Sequence, residues 1–176
     1  MSRIPKAYFA VILLLAVQLS GRAQNDTRPF NPLAESVESA IKEQFPSWKR
    51  TSIPPAQPNR SDTFTEDVII DQWRSDEAIV KVSILIHPSK EEAKKSFKEF
   101  LAGVKVNGYL QDVSNESYEW GIQKSVAFRK GRYTVYVSAA PIYEEDELMD
   151  TTALPKENKY SKTFAQIVAK ALKDLD

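Results

Sequence analysis

The sequence predicts an α+β fold, an antiparallel sheet of about five strands packed with three helices. Three observations predict it. The β-branched segments "DVIIDQW" and "AIVKVSILI" are joined by the turn material "RSDE". The stretch "VAFRKGRYTVYV" folds back on itself around a glycine. Three further stretches repeat apolar residues at helical spacing. Hairpins in place of crossovers make neighbouring strands antiparallel, and the helices then have sheet faces to cover.

Residues 24–32, "QNDTRPFNP", hold two prolines and no apolar period, which marks a flexible lead-in to a single domain over 33–176. Leu33, Val37, Ala40, Ile41 and Phe45 then recur on one helical face, with Glu35, Glu38, Lys42 and Glu43 on the other. Pro46 ends that helix. "TSIPPAQPNRSDT", 51–63, carries three prolines among polar residues and reads as a connecting loop.

The hairpin over 67–86 follows. Its second strand sets Val80, Val82, Ile84 and Ile86 on one face, and Ile79, Lys81, Ser83 and Leu85 on a face that is partly wet. "HPSKEEAKKSFKEFLAG" is the clearest helix: Ser89 and Glu92 fit a capping box, and Gly103 suits the end. Ala93, Phe97, Phe100, Leu101 and Val104 form its buried stripe. A further strand is expected around "SYEWG" within 109–120, then the hairpin 124–139 and an irregular stretch over 141–157. The last helix covers about 159–174, with Tyr160, Phe164, Ile167, Val168, Ala171, Leu172 and Leu175 on one side. This element order resembles the antiparallel-sheet-and-helix sandwich of PsbP-like and Mog1-like domains; the resemblance is one of order and carries no site residues.

The last hairpin poses a question of charge. A loop at Lys130-Gly131 sets Phe128 opposite Tyr133 and Val126 opposite Val135, core pairs sharing a face with Val137. The other face then holds Ala127 with Thr134, Ser125 with Tyr136, and Arg129 directly opposite Arg132. With Lys124 and Lys130, that makes four cations within 124–132 and no acid. Three readings stand. The tip is wet and the screened repulsion costs a few tenths of a kcal/mol. Alternatively, Glu144, Glu145, Asp146, Glu147 and Asp150 fold back as an electrostatic latch. In the third reading the tip binds a phosphate, sulfate or carboxylate polymer. The candidate anion- or partner-binding residues are Lys124, Arg129, Lys130, Arg132 and Tyr136. Tyr136 lies among small residues, where it lines a groove or packs under a helix, with packing favoured.

The ends and the composition bound the function. Arg3 and Lys6 precede the apolar run "AYFAVILLLAV", and "SGRA" follows, the layout of a secretory signal peptide over 1–23 cleaved after Ala23. The run has eleven residues, whereas a membrane-spanning helix takes about 20, so no membrane span is expected after cleavage. Loss of Arg3, Lys6 and Arg22 leaves 21 basic against 24 acidic residues. That mild acidity argues against a nucleic-acid partner. The chain has no cysteine, which removes zinc fingers, iron–sulfur clusters, thiol catalysis and a cysteine-bound lipid. It also makes stability depend on the apolar core without disulfides. Sequons at Asn25, Asn59 and Asn115 are read as mostly coincidental.

No catalytic set, cofactor or metal site is spelled out. His87 is the single histidine, and no Gly-Xaa-Ser-Xaa-Gly elbow accompanies it. The acidic run lacks the alternating ligands and central glycine of a calcium loop. Asp71, Asp76, Glu77, Glu116 and Glu119 sit where exposed acids are commonplace. The expected function is an exported, periplasmic or secreted, non-enzymatic binding or scaffolding domain of the cell envelope. Its expected partner is an anionic envelope component or another protein. The alternatives are a small exported hydrolase using carboxylates or His87, and an apolar-ligand carrier.

Overall fold

The computed structural model describes residues 31–54, 67–143 and 159–172. The expected signal peptide, the lead-in up to residue 30 and the acidic run Glu144–Asp150 lie outside the described residues. The elements run α1 (Pro32–Gln44), β1 (Lys49–Ser52), β2 (Asp67–Arg74), β3 (Ala78–Ile86), α2 (Lys90–Gly103), β4 (Val106–Tyr109), β5 (Ser117–Trp120), β6 (Ser125–Lys130), β7 (Tyr133–Pro141) and α3 (Tyr160–Ala171).

The α+β class, the antiparallel sheet and the three helices are as the sequence predicts, but the sheet has seven strands, not about five. The two additional strands are β1, "KRTS", and β4, "VNGY", and both lie at the sheet edges. Neither has an alternating apolar pattern. An edge strand hydrogen-bonds through its backbone on one side and buries little, so its composition need not declare it.

All neighbours are antiparallel, in the order β1-β2-β3-β7-β6-β5-β4. Two meanders, β1-β2-β3 and β4-β5-β6-β7, therefore meet along β3 and β7. The connection containing α2 carries the chain from β3 to the far edge, and the second meander walks back to the centre.

The two faces are covered differently. Val80, Val82 and Ile84 of β3, Val126 and Phe128 of β6, and Val135 and Val137 of β7 form one core with α1 and α3. At its centre Phe164 of α3 is fully buried, stacked on Phe45 at 4.9 Å between centroids, with Trp48 at 5.2 Å and Trp73 at 6.3 Å. Each such side chain removed from water contributes about 1.5–3 kcal/mol, which is how a chain without disulfides holds together. On the opposite face α2 lies on β6 and β7.

Helix starts follow local chemistry. Asn31 Oδ1 accepts the N–H groups of Leu33 at 3.0 Å and Ala34 at 3.3 Å, and Pro32 takes the first helical position. The end of the expected lead-in is thus the cap and first turn of α1. Ser89 Oγ accepts the Glu92 N–H at 3.1 Å, the Ser arm of the expected box.

Candidate functional site

The register of the last hairpin answers the question of the two arginines. Lys130 pairs with Tyr133, Arg129 with Thr134, Phe128 with Val135 and Val126 with Val137. The two-residue loop is therefore Gly131-Arg132, one position later than the sequence reading. Arg129 and Arg132 are not opposed. The physical reason is backbone conformation: a primed hairpin turn needs positive φ at its first corner. Gly131 takes that corner at φ 53°, whereas a loop at Lys130 would force the lysine there. The pairing slides by two residues, so every side chain keeps its expected face.

The five candidate residues do not converge. Lys130 points to the α3 side and its Nζ donates to the carbonyl of Ala169 at 2.8 Å, capping the C-terminal turn of α3. Arg132 sits in the loop with its guanidinium carbon 5.8 Å from the centre of the Tyr133 ring. Lys124 lies in the turn before β6 with φ 50°, about 17 Å along the strand from Arg129. Tyr136 packs edge-on to Phe100 of α2 at 4.6 Å between centroids, the packing role favoured for it. Arg129 lies on the α2 side, where its Nε donates to Glu116 and its Nη1 to the Gly131 carbonyl at 2.8 Å.

That pairing leads to a groove absent from the sequence reading. Between α2 and β5 lies a hollow of about 90 Å³ lined by Lys94, Phe97, Lys98, Leu101, Glu116 and Tyr118. The helix supplies the cationic rim and most of the apolar lining. Phe97 faces the sheet, 6.1 Å from the Tyr118 ring, while Lys94 and Lys98 stand exposed one turn apart on the rim. The hydrogen bond from Arg129 holds the Glu116 carboxyl below its ordinary value of 4.5. Partial burial opposes this, and the charges of Arg129, Lys94 and Lys98 add to it. Glu116 thus stays ionised and ties Arg129 to the groove mouth, with the two lysines in excess. The signal available in the sequence was the lysine pair at i, i+4 beside the apolar stripe, which reads as ordinary solvated charge until β5 is placed beside it.

A second polar cluster joins β1, β2 and α1. Arg50 is paired with Glu38 and, at 3.2 Å, with Asp71, which also accepts from Ser52 Oγ at 2.8 Å. Asp71 is 3% exposed, so it is not the exposed strand acid its position suggested. Lys42 closes the chain of charges on Glu38. These contacts fasten the edge strand β1 to the rest of the fold.

His87 is fully buried. Its Nε2 lies 2.9 Å from Thr134 Oγ1, and its backbone N–H donates to the Arg132 carbonyl at 3.0 Å. It closes β3 onto the hairpin, away from solvent. Among the described residues no group of three or more His, Cys, Asp or Glu is placed to hold a metal ion, and no helix is long and apolar enough to cross a membrane. No protein-family model, curated protein or solved structure matches this chain.

Proposed function

We propose that the protein is an exported, non-enzymatic binding domain of the cell envelope and that the α2–β5 groove takes a segment of an anionic polymer. The observation that carries this reading is the pairing of two exposed lysines with a floor of Phe97, Leu101 and Tyr118. A volume of about 90 Å³ is small beside the roughly 300–1,000 Å³ of sites that enclose a small molecule. It suits one unit of a longer chain, with apolar atoms on the rings and phosphate, sulfate or carboxylate groups at the lysines. The expected signal peptide supports the location. The hydrolase alternative has less support, because His87 is sealed in the core, Asp71 is engaged by Arg50 and Glu116 by Arg129.

Binding of the purified protein to polyphosphate, dextran sulfate and polygalacturonate, each at low and high salt, tests the proposal. Lys94→Glu/Lys98→Glu should weaken salt-sensitive binding to at least one of them tenfold or more. Lys49→Glu/Lys170→Glu, an equal change of charge elsewhere on the surface, should leave the affinity within about twofold. Equal loss in the two variants, or no binding to any of the polymers, would overturn the groove as the site.

A further inference from the structure

On its face of the sheet α2 lies over β6 and β7, and β5 and β4 extend beyond it. The floor of the α2–β5 groove therefore continues past Tyr118. Tyr118 pairs directly with Tyr109 of the edge strand β4, and the two rings lie 5.5 Å apart between centroids. Among the described residues Tyr109 is one of the few large apolar side chains left exposed, at 46%. Its hydroxyl donates to the Asn115 carbonyl at 2.8 Å, which holds the ring in place on the sheet. Phe97, Tyr118 and Tyr109 thus form a row of rings, spaced 6.1 and 5.5 Å, that leads from beneath the helix to the open edge.

The charges beside this row narrow what can lie on it. Lys94 and Lys98 are exposed and four residues apart, a rise of about 6 Å along the helix. That is close to the length of one pyranose unit and well beyond the spacing of neighbouring phosphates in polyphosphate. Glu116 belongs to the same lining and is ionised, with its Oε2 taken by Arg129 Nε. Its other oxygen is an acceptor, which suits a ligand carrying hydroxyl donors and repels one that is anionic at every position. Polyphosphate has no donors along its chain, and a heavily sulfated glycan has few. An acidic polypeptide would bring flexible side chains to the rings and lose their freedom on binding. A pyranose ring is already rigid and presents a face of C–H groups that lies flat on an aromatic ring.

We propose that the ligand is an acidic polysaccharide of the uronate type, with one carboxylate per sugar. Its rings lie on Tyr118 and Tyr109, its carboxylates meet Lys94 and Lys98, and a sugar hydroxyl donates to Glu116. This assignment rests on the α2–β5 groove being the binding site, and it adds Tyr109 to that site. The charge balance agrees with it: Lys94, Lys98 and Arg129 against Glu116 leave two cations in excess, enough for a sparsely charged chain.

Polygalacturonate, polyglutamate and polyphosphate of matched charge number, each titrated into the purified protein at one low salt concentration, test the assignment. Polygalacturonate should bind at least tenfold tighter than either of the others. Tyr109→Ala, with an unchanged circular dichroism spectrum, should weaken that binding tenfold or more. Ile122→Ala removes an exposed apolar side chain outside the row and should leave it within about twofold. Suppose polyglutamate or polyphosphate binds as tightly, or Tyr109→Ala binds polygalacturonate like the wild type, while Lys94→Glu/Lys98→Glu still weakens binding. The groove then stands as the site and the polysaccharide is overturned. Binding that is indifferent to the lysine pair, or no binding to any polymer, would overturn the groove and the assignment together.

Discussion

Phe164→Ala tests the packing on which the rest of the molecule depends. Phe164 is fully buried and meets three aromatic rings, Phe45, Trp48 and Trp73, at 4.9, 5.2 and 6.3 Å between centroids. Removal of a buried phenylalanine costs about 3–5 kcal/mol, the upper part of that range applying where neighbours cannot collapse into the space. Here the neighbours are rigid rings anchored on α1, β2 and the segment before β1, so about 4 kcal/mol is expected. That is a large share of the roughly 5–15 kcal/mol that holds a domain folded. With a urea slope of about 2 kcal/mol/M, the unfolding midpoint should fall by about 2 M. Phe164→Leu keeps most of the apolar volume and should cost about 1.5 kcal/mol or less. Urea titrations followed by tryptophan fluorescence and by circular dichroism measure both, since Trp48 and Trp73 sit in the affected cluster. A shift below about 0.5 M for Phe164→Ala would mean that α3 does not close the core, and the reasoning would fail.

Two further outcomes are expected. Gly131→Ala places a Cβ at φ 53° in the hairpin corner and should cost about 1–2 kcal/mol; a neutral effect in thermal melts would argue for a different loop register. The Glu116 carboxyl is held below its ordinary 4.5, first by its hydrogen bond from Arg129, so its contribution to stability is present above that value. The contribution is lost as the pH falls through the lower folded-state value. The stability gap between the wild type and Arg129→Gln should accordingly be open at neutral pH and narrow below about 4.5. A gap that stays constant down to full protonation would show that the pair is not linked to folding.

Much of the fold was legible because it rests on periodicity. The strand pair 67–74 and 78–86 and the helix capped by Ser89 announce themselves through alternation, turn residues and a cap, all of which act over a few residues. The five-strand count fell short at β1 and β4 for the opposite reason: "KRTS" and "VNGY" are strands because a neighbour offers them hydrogen bonds. The hairpin loop was misplaced by one position since both candidate loops contain Gly131. What decides between them is which corner requires positive φ, a property of the folded turn.

The candidate site divides the same way. Charge type and helical spacing were visible for Lys94 and Lys98, and for the cations of the hairpin, but their partners were not. Lys130 found a helix carbonyl 39 residues away and Arg129 found Glu116 13 residues earlier. By itself, then, the amino-acid sequence determined which segments bury a face, which class of fold they build, and that no thiol chemistry is available. The tertiary structure alone decided which charges are spent on capping and pairing, that Asp71 and His87 are inside, and that α2 and β5 leave a groove between them. Burial patterns are local and repeat along the chain, whereas ion pairs and grooves depend on contacts between residues far apart in it, which become definite once the sheet is assembled.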